Sequence, residues 1–309
     1  MPYHYALSLG SLLRAFPGNI AQGMIWGIMA LGLYISYRLL DFADLTVDGS
    51  LSTGAAVTVM LMLNGCPAIV AVLIAFIAGC VAGLITGVLH TVLKIAPILS
   101  GILTQIALYS INLHILGNKA NQAISVTDYD LLLSLRNTTK SIIVALVFIV
   151  IIIALLYEFF GTEIGAAIRA TGNNAQMAKA QGIDISLMKV IGLALSNGIV
   201  ALSGGLLAQY QGFADVSLGR GAIVIGLAAI IIGSVLFEGP SHKDRNFAVV
   251  LSSAVVGGII YYISIGIVLW LKLPTNDMKL FTAILVAVFL SVPNLSFNKK
   301  GDKANAVDK

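Results

Sequence analysis

Two short polar segments punctuate long apolar runs in this sequence, and their residue types could do chemistry. Asp44 stands two residues before Thr46, and Asp215 stands two residues before Ser217. A carboxylate and a hydroxyl so spaced have two uses inside a membrane. They can accept from the free N–H groups at the start of a helix, or they can line a polar path through an apolar medium. The residues alone leave both readings open. Catalytic chemistry is missing by motif. The chain has no GxxxxGK[ST] phosphate loop, no HExxH and no GxSxG, so no catalytic residue is assigned. His4, His90, His114 and His242 are scattered and suit hydrogen-bonded packing. Cys66 and Cys80 lie in apolar surroundings and read as small core residues. No Cys/His cluster marks a metal or redox site, and no cofactor is implied.

The elements that must hold these residues follow from composition. The chain has 309 residues, 58% hydrophobic and 10% charged, whereas soluble domains carry about 25% charged residues. Lipid must therefore be a large part of its solvent. In lipid the backbone has to satisfy itself, which leaves helices or a closed barrel. Barrel strands alternate in polarity over about ten residues; the runs here are longer and do not alternate. The expected fold is all-α and polytopic. A formal net charge of +4 is too small to suggest a nucleic-acid partner.

Nine membrane elements are expected, near Asn19–Leu39, Ser50–Asn64, Pro67–Leu93, Pro97–Leu116, Thr139–Phe160, Leu187–Gln211, Gly221–Phe237, Phe247–Leu271 and Met278–Val292. Ser50–Asn64 and Gly221–Phe237 are short for a span and read as helices that begin inside the membrane. Residues 1–18 lack a signal peptide's pattern and read as an amphipathic helix on the membrane surface. Residues 19–296 form one transmembrane domain, and 297–309 a disordered cytoplasmic tail. The Lys and Arg distribution favours a cytoplasmic 161–186 connector, an external N-terminus and an internal tail. Gly79, Gly83 and Gly87 give one helix a small face for close packing. Thr104, Gln105, Tyr109 and Asn112 share neighbouring turns, where they line a path or bond between helices. Asp41 and Asp48 read as interfacial.

The sequence also repeats itself at an offset of 171 residues. Gly27-Ile28-Met29-Ala30-Leu31 matches Gly198-Ile199-Val200-Ala201-Leu202, and Phe42-Ala43-Asp44-Leu45-Thr46-Val47 matches Phe213-Ala214-Asp215-Val216-Ser217-Leu218. Chance matching of Gly/Ala/Leu-rich helices is the alternative, but the Phe-Ala-Asp segment is not low in complexity. The expected topology gives the copies opposite directions, with halves of about 19–160 and 187–293. Inverted repeats are a recurrent plan of transporters, in which one half rocks against the other.

The connector Gly161–Asp184 is neither a span nor a simple turn. Gly172 breaks it, Asn173 or Asn174 caps a short helix over Ala175–Gln181, and Gly182 ends that helix. This stretch, from Thr162-Glu163-Ile164-Gly165 through Gly182-Ile183-Asp184, resembles the membrane permeases of ABC importers for branched-chain amino acids and ribose-type sugars. Leu195-Ser196-Asn197-Gly198, Gly204-Gly205 and the segment from Ala43 to Ser50 share the resemblance, which runs roughly from Asn19 to Pro293 and is nearest to a branch assigned to aromatic amino acids. The resemblance implies a coupling helix at Asn173, Asn174, Ala175, Met177, Ala178 and Gly182 that docks on a cytoplasmic ATPase. It also implies a homodimer in a bacterial inner membrane and an extracellular or periplasmic substrate-binding protein. The family commonly has one more N-terminal span than this chain shows.

The expected function is thus a permease subunit for a small polar solute, with an amino acid preferred over a sugar or nucleoside. An ion-coupled secondary transporter is the rival. It would need Asp44 or Asp215 as its coupling-ion site.

Overall fold

The computed structural model describes residues 9–125, 129–237 and 246–270, together with helical positions 280, 281, 283, 284 and 286–288. Most of the expected Met278–Val292 element, residues 1–8 and the 297–309 tail lie outside them. Within the described residues the chain is almost wholly helical. Helix α1 (Leu9–Tyr34) runs on through a π-helical turn at Ile35–Leu39. It is followed by α2 (Thr46–Leu63), α3 (Ala68–Thr91), α4 (Pro97–Ile115) and α5 (Thr138–Gly161). The connector forms α6 (Glu163–Asn173) and α7 (Ala175–Ala180), and then come α8 (Ile185–Gln211), α9 (Ala222–Phe237) and α10 (Phe247–Trp270). One small antiparallel ladder joins β1 (Asn121–Ala123) to β2 (Phe213–Asp215), with Asn121 opposite Asp215.

Seven of these helices are long and apolar enough to cross a membrane. Helix α9 has 16 residues, about 24 Å at 1.5 Å per residue, which falls short of a hydrocarbon core of about 30 Å. The expected count of nine is not confirmed. A second difference is at the N-terminus. Helix α1 passes unbroken through Pro17, so residues 9–18 are its first turns and not a separate surface helix.

The two halves pack as an inverted pair. Helices α1 and α8 run antiparallel: the Tyr210 hydroxyl donates to the Gly18 carbonyl, Ser203 to that of Ile25 and Ser196 to that of Gly32. Helix α3 lies antiparallel on α8, and α10 lies antiparallel on α1. Applying the offset of the repeat turns one pairing into the other. The same holds for α2 along α8 and α9 along α1, both parallel. At the centre Gly219 presses on the carbonyl of Asp48. These two positions correspond under the offset, so the pseudo-two-fold axis passes between them.

Small residues make this packing possible, because between helices in lipid no hydrophobic force acts beyond close contact. Gly79, Gly83 and Gly87 face Asn197, Leu193 and Val190 of α8, as expected from their spacing. Outward, Leu73, Ile77, Val81 and Leu84 on α3, and Ile143, Leu146, Val150 and Leu155 on α5, are exposed, which suits a lipid-facing surface. A Cβ on Gly83 would collide with the backbone of Leu193, whereas one on Gly161 meets nothing within 4 Å. Gly83→Ala is therefore expected to lower the thermal unfolding midpoint in detergent by several degrees, since overpacking costs about 1–3 kcal/mol. Gly161→Ala should leave the midpoint within about 1 °C.

Candidate functional site

The first hinge is built on Asp44, which is only 1% exposed. It follows the π turn, a bend at Leu40 and then Asp41, whose φ of 51° places a short polar residue in the left-handed region. The Asp44 Oδ1 accepts from the backbone N–H of Thr46 at 2.9 Å, and its Oδ2 accepts from Asn197 Nδ2 of α8 at 2.6 Å. Asn197 also receives the Ser50 hydroxyl at 2.6 Å and donates to the Leu193 carbonyl. Beside it a hydroxyl chain crosses three helices. Thr46 meets Thr86 at 2.7 Å, and Thr86 donates to Thr104 at 2.9 Å. Every member is buried and partnered, which makes this node stiff. Thr104 thus serves interhelical bonding.

The second hinge repeats the local bond in a different setting. Asp215 Oδ1 accepts from both the backbone N–H and the hydroxyl of Ser217. Its Oδ2 receives Asn121 Nδ2 at 3.4 Å, and the residue is half-buried. Partial burial would raise the Asp215 carboxyl, but the bonds from Ser217 and Asn121 and the nearby Arg220 charge outweigh it and hold it below its ordinary value. In both hinges the carboxylate ties down the residue two positions on; for Asp44 that residue is the first of α2, whereas for Asp215 it lies in the turn before α9.

The most consequential acidic residue is one that the sequence suggested was merely interfacial. Asp48, in the first turn of α2, reaches across the pseudo-two-fold axis. Its Oδ2 accepts from Gly221 N–H at 2.9 Å and its Oδ1 from Ile223 N–H at 3.0 Å. Ser52 Oγ takes the Gly219 N–H at 2.9 Å. One half of the molecule therefore caps the helix that begins in the other half. The offset repeat carries the start of α2 at Thr46 to Ser217, in the turn that leads into α9 at Ala222, which was the available signal; the contact between the two segments was not readable from either copy.

The connector differs in one respect from expectation. Helix α6 runs straight through Gly172 and ends at Asn173. Gly172 is there for close approach, pressed on the backbone of Leu39 and Leu40 at the end of the π turn. The break falls at Asn174, whose Oδ1 accepts from Met177 N–H at 3.0 Å and caps α7. Gly182 follows α7 with φ of 81°, as expected of a helix end. Ala175 is half-buried, and Asn173, Asn174 and Gly182 are exposed. Met177 is 64% exposed, while Ala178 is 3% exposed and faces inward. His90 has the packing role expected of it. Its Nδ1 meets the Ile95 carbonyl at 2.8 Å, and its Nε2 meets Lys189 Nζ at 3.1 Å. Since Lys189 can only donate, Nδ1 carries the proton.

Long apolar helices arranged as an inverted pair, with two helix starts meeting on the axis, define a multi-pass membrane protein on a transporter plan. The family model described as "Branched-chain amino acid transport system / permease component" matches residues 18–291, and the chain belongs to that family. It is thus a permease component of an ABC-type transport system. It is 42% identical over 290 residues to a tyrosine transport system permease protein of Clostridioides difficile strain R20291, covering 94% of this chain and 95% of that protein. It is 33% identical over 274 residues to an uncharacterized protein of Rickettsia prowazekii strain Madrid E, covering 88% of this chain and 95% of the other. No solved structure gives a significant match.

The Asp44 node makes a sharp prediction. Asn197→Leu strips a buried carboxylate of its 2.6 Å donor. It should cost about 2–4 kcal/mol, read as a fall of about 5–10 °C in the unfolding midpoint. Adding Asp44→Leu should recover part of that loss, because the stranded carboxylate is gone and only the Thr46 N–H and the Ser50 hydroxyl have lost their acceptors. A double variant as unstable as the single one would remove the node from the account.

Proposed function

We propose that the chain is the path-forming subunit of an ATP-driven importer for an amino acid with an aromatic side chain, tyrosine being the first candidate. The observation that carries this reading is the 42% identity, along 94% of the chain, to a permease whose name gives tyrosine as its cargo. The chain would work as a homodimer in the bacterial inner membrane. Separate cytoplasmic ATPases would hydrolyse the nucleotide, in keeping with the missing phosphate loop, and an extracellular or periplasmic binding protein would deliver substrate. Residues 161–186 form the cytoplasmic connector between the halves 19–160 and 187–293, within the permease domain 19–296.

Helix α7 is the coupling helix of this reading. Asn174 and Gly182 fix its ends, and Asn173, Ala175 and Met177 present its outer surface to the ATPase. Ala178 seats the helix on the body of the permease. A push on α7 would reach the hinges through α6, because Gly172 rests directly on Leu39 and Leu40, which lead to Asp44. Asp44, Thr46, Asp215 and Ser217 then act as the pivots of the path. The ion-coupled rival has less support, since both Asp44 oxygens are already bonded to Thr46 and Asn197.

The test uses the permease with its ATPase and binding protein in liposomes. Met177→Asp puts a charge on the outer face of α7, where it touches little of the permease itself. Tyrosine uptake should fall at least about tenfold, the ATPase should no longer co-purify, and the unfolding midpoint should move by less than about 2 °C, as is usual for surface substitutions. Uptake and co-purification both at wild-type level would remove α7 from the coupling role. Wild-type uptake of sugars but no amino acids would overturn the substrate.

A further inference from the structure

A small cavity of about 50 Å³ opens beside the axis, where the starts of α2 and α9 meet; α4 closes it. Asp48 and Ser52 line it from α2, Tyr109 and Asn112 from α4, and Arg220 from the turn before α9. Asn112 is the unusual member. It is 0% exposed, yet neither its Oδ1 nor its Nδ2 has a hydrogen-bond partner. A buried amide left without a donor or an acceptor is costly, and nearly all are paired. Asn112 is one of the residues around the cavity, and nothing in the described chain answers either end of its amide.

The neighbouring groups define what would. Arg220 is exposed and presents a fork of donors that matches a carboxylate. Asp48 holds two backbone N–H groups, one on each oxygen, and a carboxylate has further lone pairs to offer. Asn112 adds one donor and one acceptor. Tyr109 is 44% exposed at the rim and offers an aromatic face. From this set we infer that the cavity is a subsite for the zwitterionic head of an amino acid. The carboxylate lies toward Arg220 and Asn112 Nδ2, the ammonium toward Asp48 and Asn112 Oδ1, and the side chain projects past Tyr109. Such a volume takes the head group and not the whole solute. A zwitterion entering an apolar path needs both charges met at once, which a carboxylate, an amide and a guanidinium around one space achieve.

This inference rests on the amino-acid reading above, and the experiment separates the two. The intact permease in detergent is heated with about 10 mM tyrosine, tyrosinamide or N-acetyltyrosine, and the full complex in liposomes is assayed for tyrosine uptake. Free tyrosine should raise the wild-type unfolding midpoint by about 2 °C or more through mass action. Tyrosinamide lacks the carboxylate and N-acetyltyrosine the ammonium, so neither should reach half that shift. Asn112→Leu and Arg220→Gln should each abolish the shift and cut uptake at least about tenfold, with the ATPase still co-purifying. Arg220 is on the surface, so its variant reports even where Asn112→Leu fails to fold. Tyrosine uptake at the wild-type rate in Arg220→Gln, or equal shifts from all three compounds, overturns the subsite and leaves the amino-acid importer standing. Failure of the wild-type complex to move any amino acid overturns both.

Discussion

A helix that starts inside a membrane exposes its first N–H groups to a medium that cannot bond them. Helices α2 and α9 both start where the two halves of the bundle meet, and much of the architecture answers the same constraint there. The solution for α9 crosses between the halves. Asp48, itself within the first turn of α2, accepts from Gly221 and Ile223 at the start of α9. Ser52, one turn further along α2, takes Gly219. A carboxylate at a helix N-terminus also meets the positive end of the helix dipole. The start of α9 is therefore held by the first turns of α2 on the pseudo-two-fold axis, while the start of α2 is held by Asp44 of its own half. The absence of a side chain at Gly219 follows from the same closeness, because Asp48 is its counterpart and its carbonyl fills that space.

The rest of the bundle brings the starts to this meeting point. The main-chain contact of α2 with α8 runs through Gly54 and Gly204, where added Cβ atoms would strike the backbone of Ala201 and Leu51. With the helices so close, short side chains can bridge between them, and Ser50 reaches Asn197 at 2.6 Å. Close packing and polar bonding are thus one arrangement. The small residues bring the backbones together, and the hydroxyls and amides fix the depth at which they meet.

Much of this was legible in the sequence, and what was not has a physical reason. Composition gives the medium, and the medium gives helices. Asp44 with Thr46 and Asp215 with Ser217 were readable because each bond spans two residues, so local spacing carries it. The Asn174 cap and the Gly182 end were readable for the same reason. Asp48 was not, because its partners lie 173 and 175 residues away and local reading sees only an acidic residue near an interface. Gly172 was misread as a breaker because glycine has two uses, and only the position of Leu39 decides between them. The count of nine is not confirmed, because the 16 residues of α9 are as compatible with a half-depth helix as with a short crossing and most of Met278–Val292 lies outside the described residues.

The two hinges share a sequence but not an environment, and the difference is itself written in the chain. Under the offset of the repeat, the counterpart of Asn197 is Trp26. Trp26 stacks on Tyr262 with ring centroids 5.7 Å apart, and its indole N–H has no hydrogen-bond partner among the described residues. Asp215 therefore has no buried amide to bind. It takes Asn121, at 3.4 Å and on a half-exposed ladder. Opening the Asp44 hinge would strand a carboxylate and an amide in the core, each needing a new partner at once. Opening the Asp215 hinge would hand its groups to water, which can bond them. Rearrangement on the side of the two-stranded ladder is thus the less costly of the two. An inverted repeat with unequal hinges has a stiff side and a compliant side, even though its two halves follow one plan.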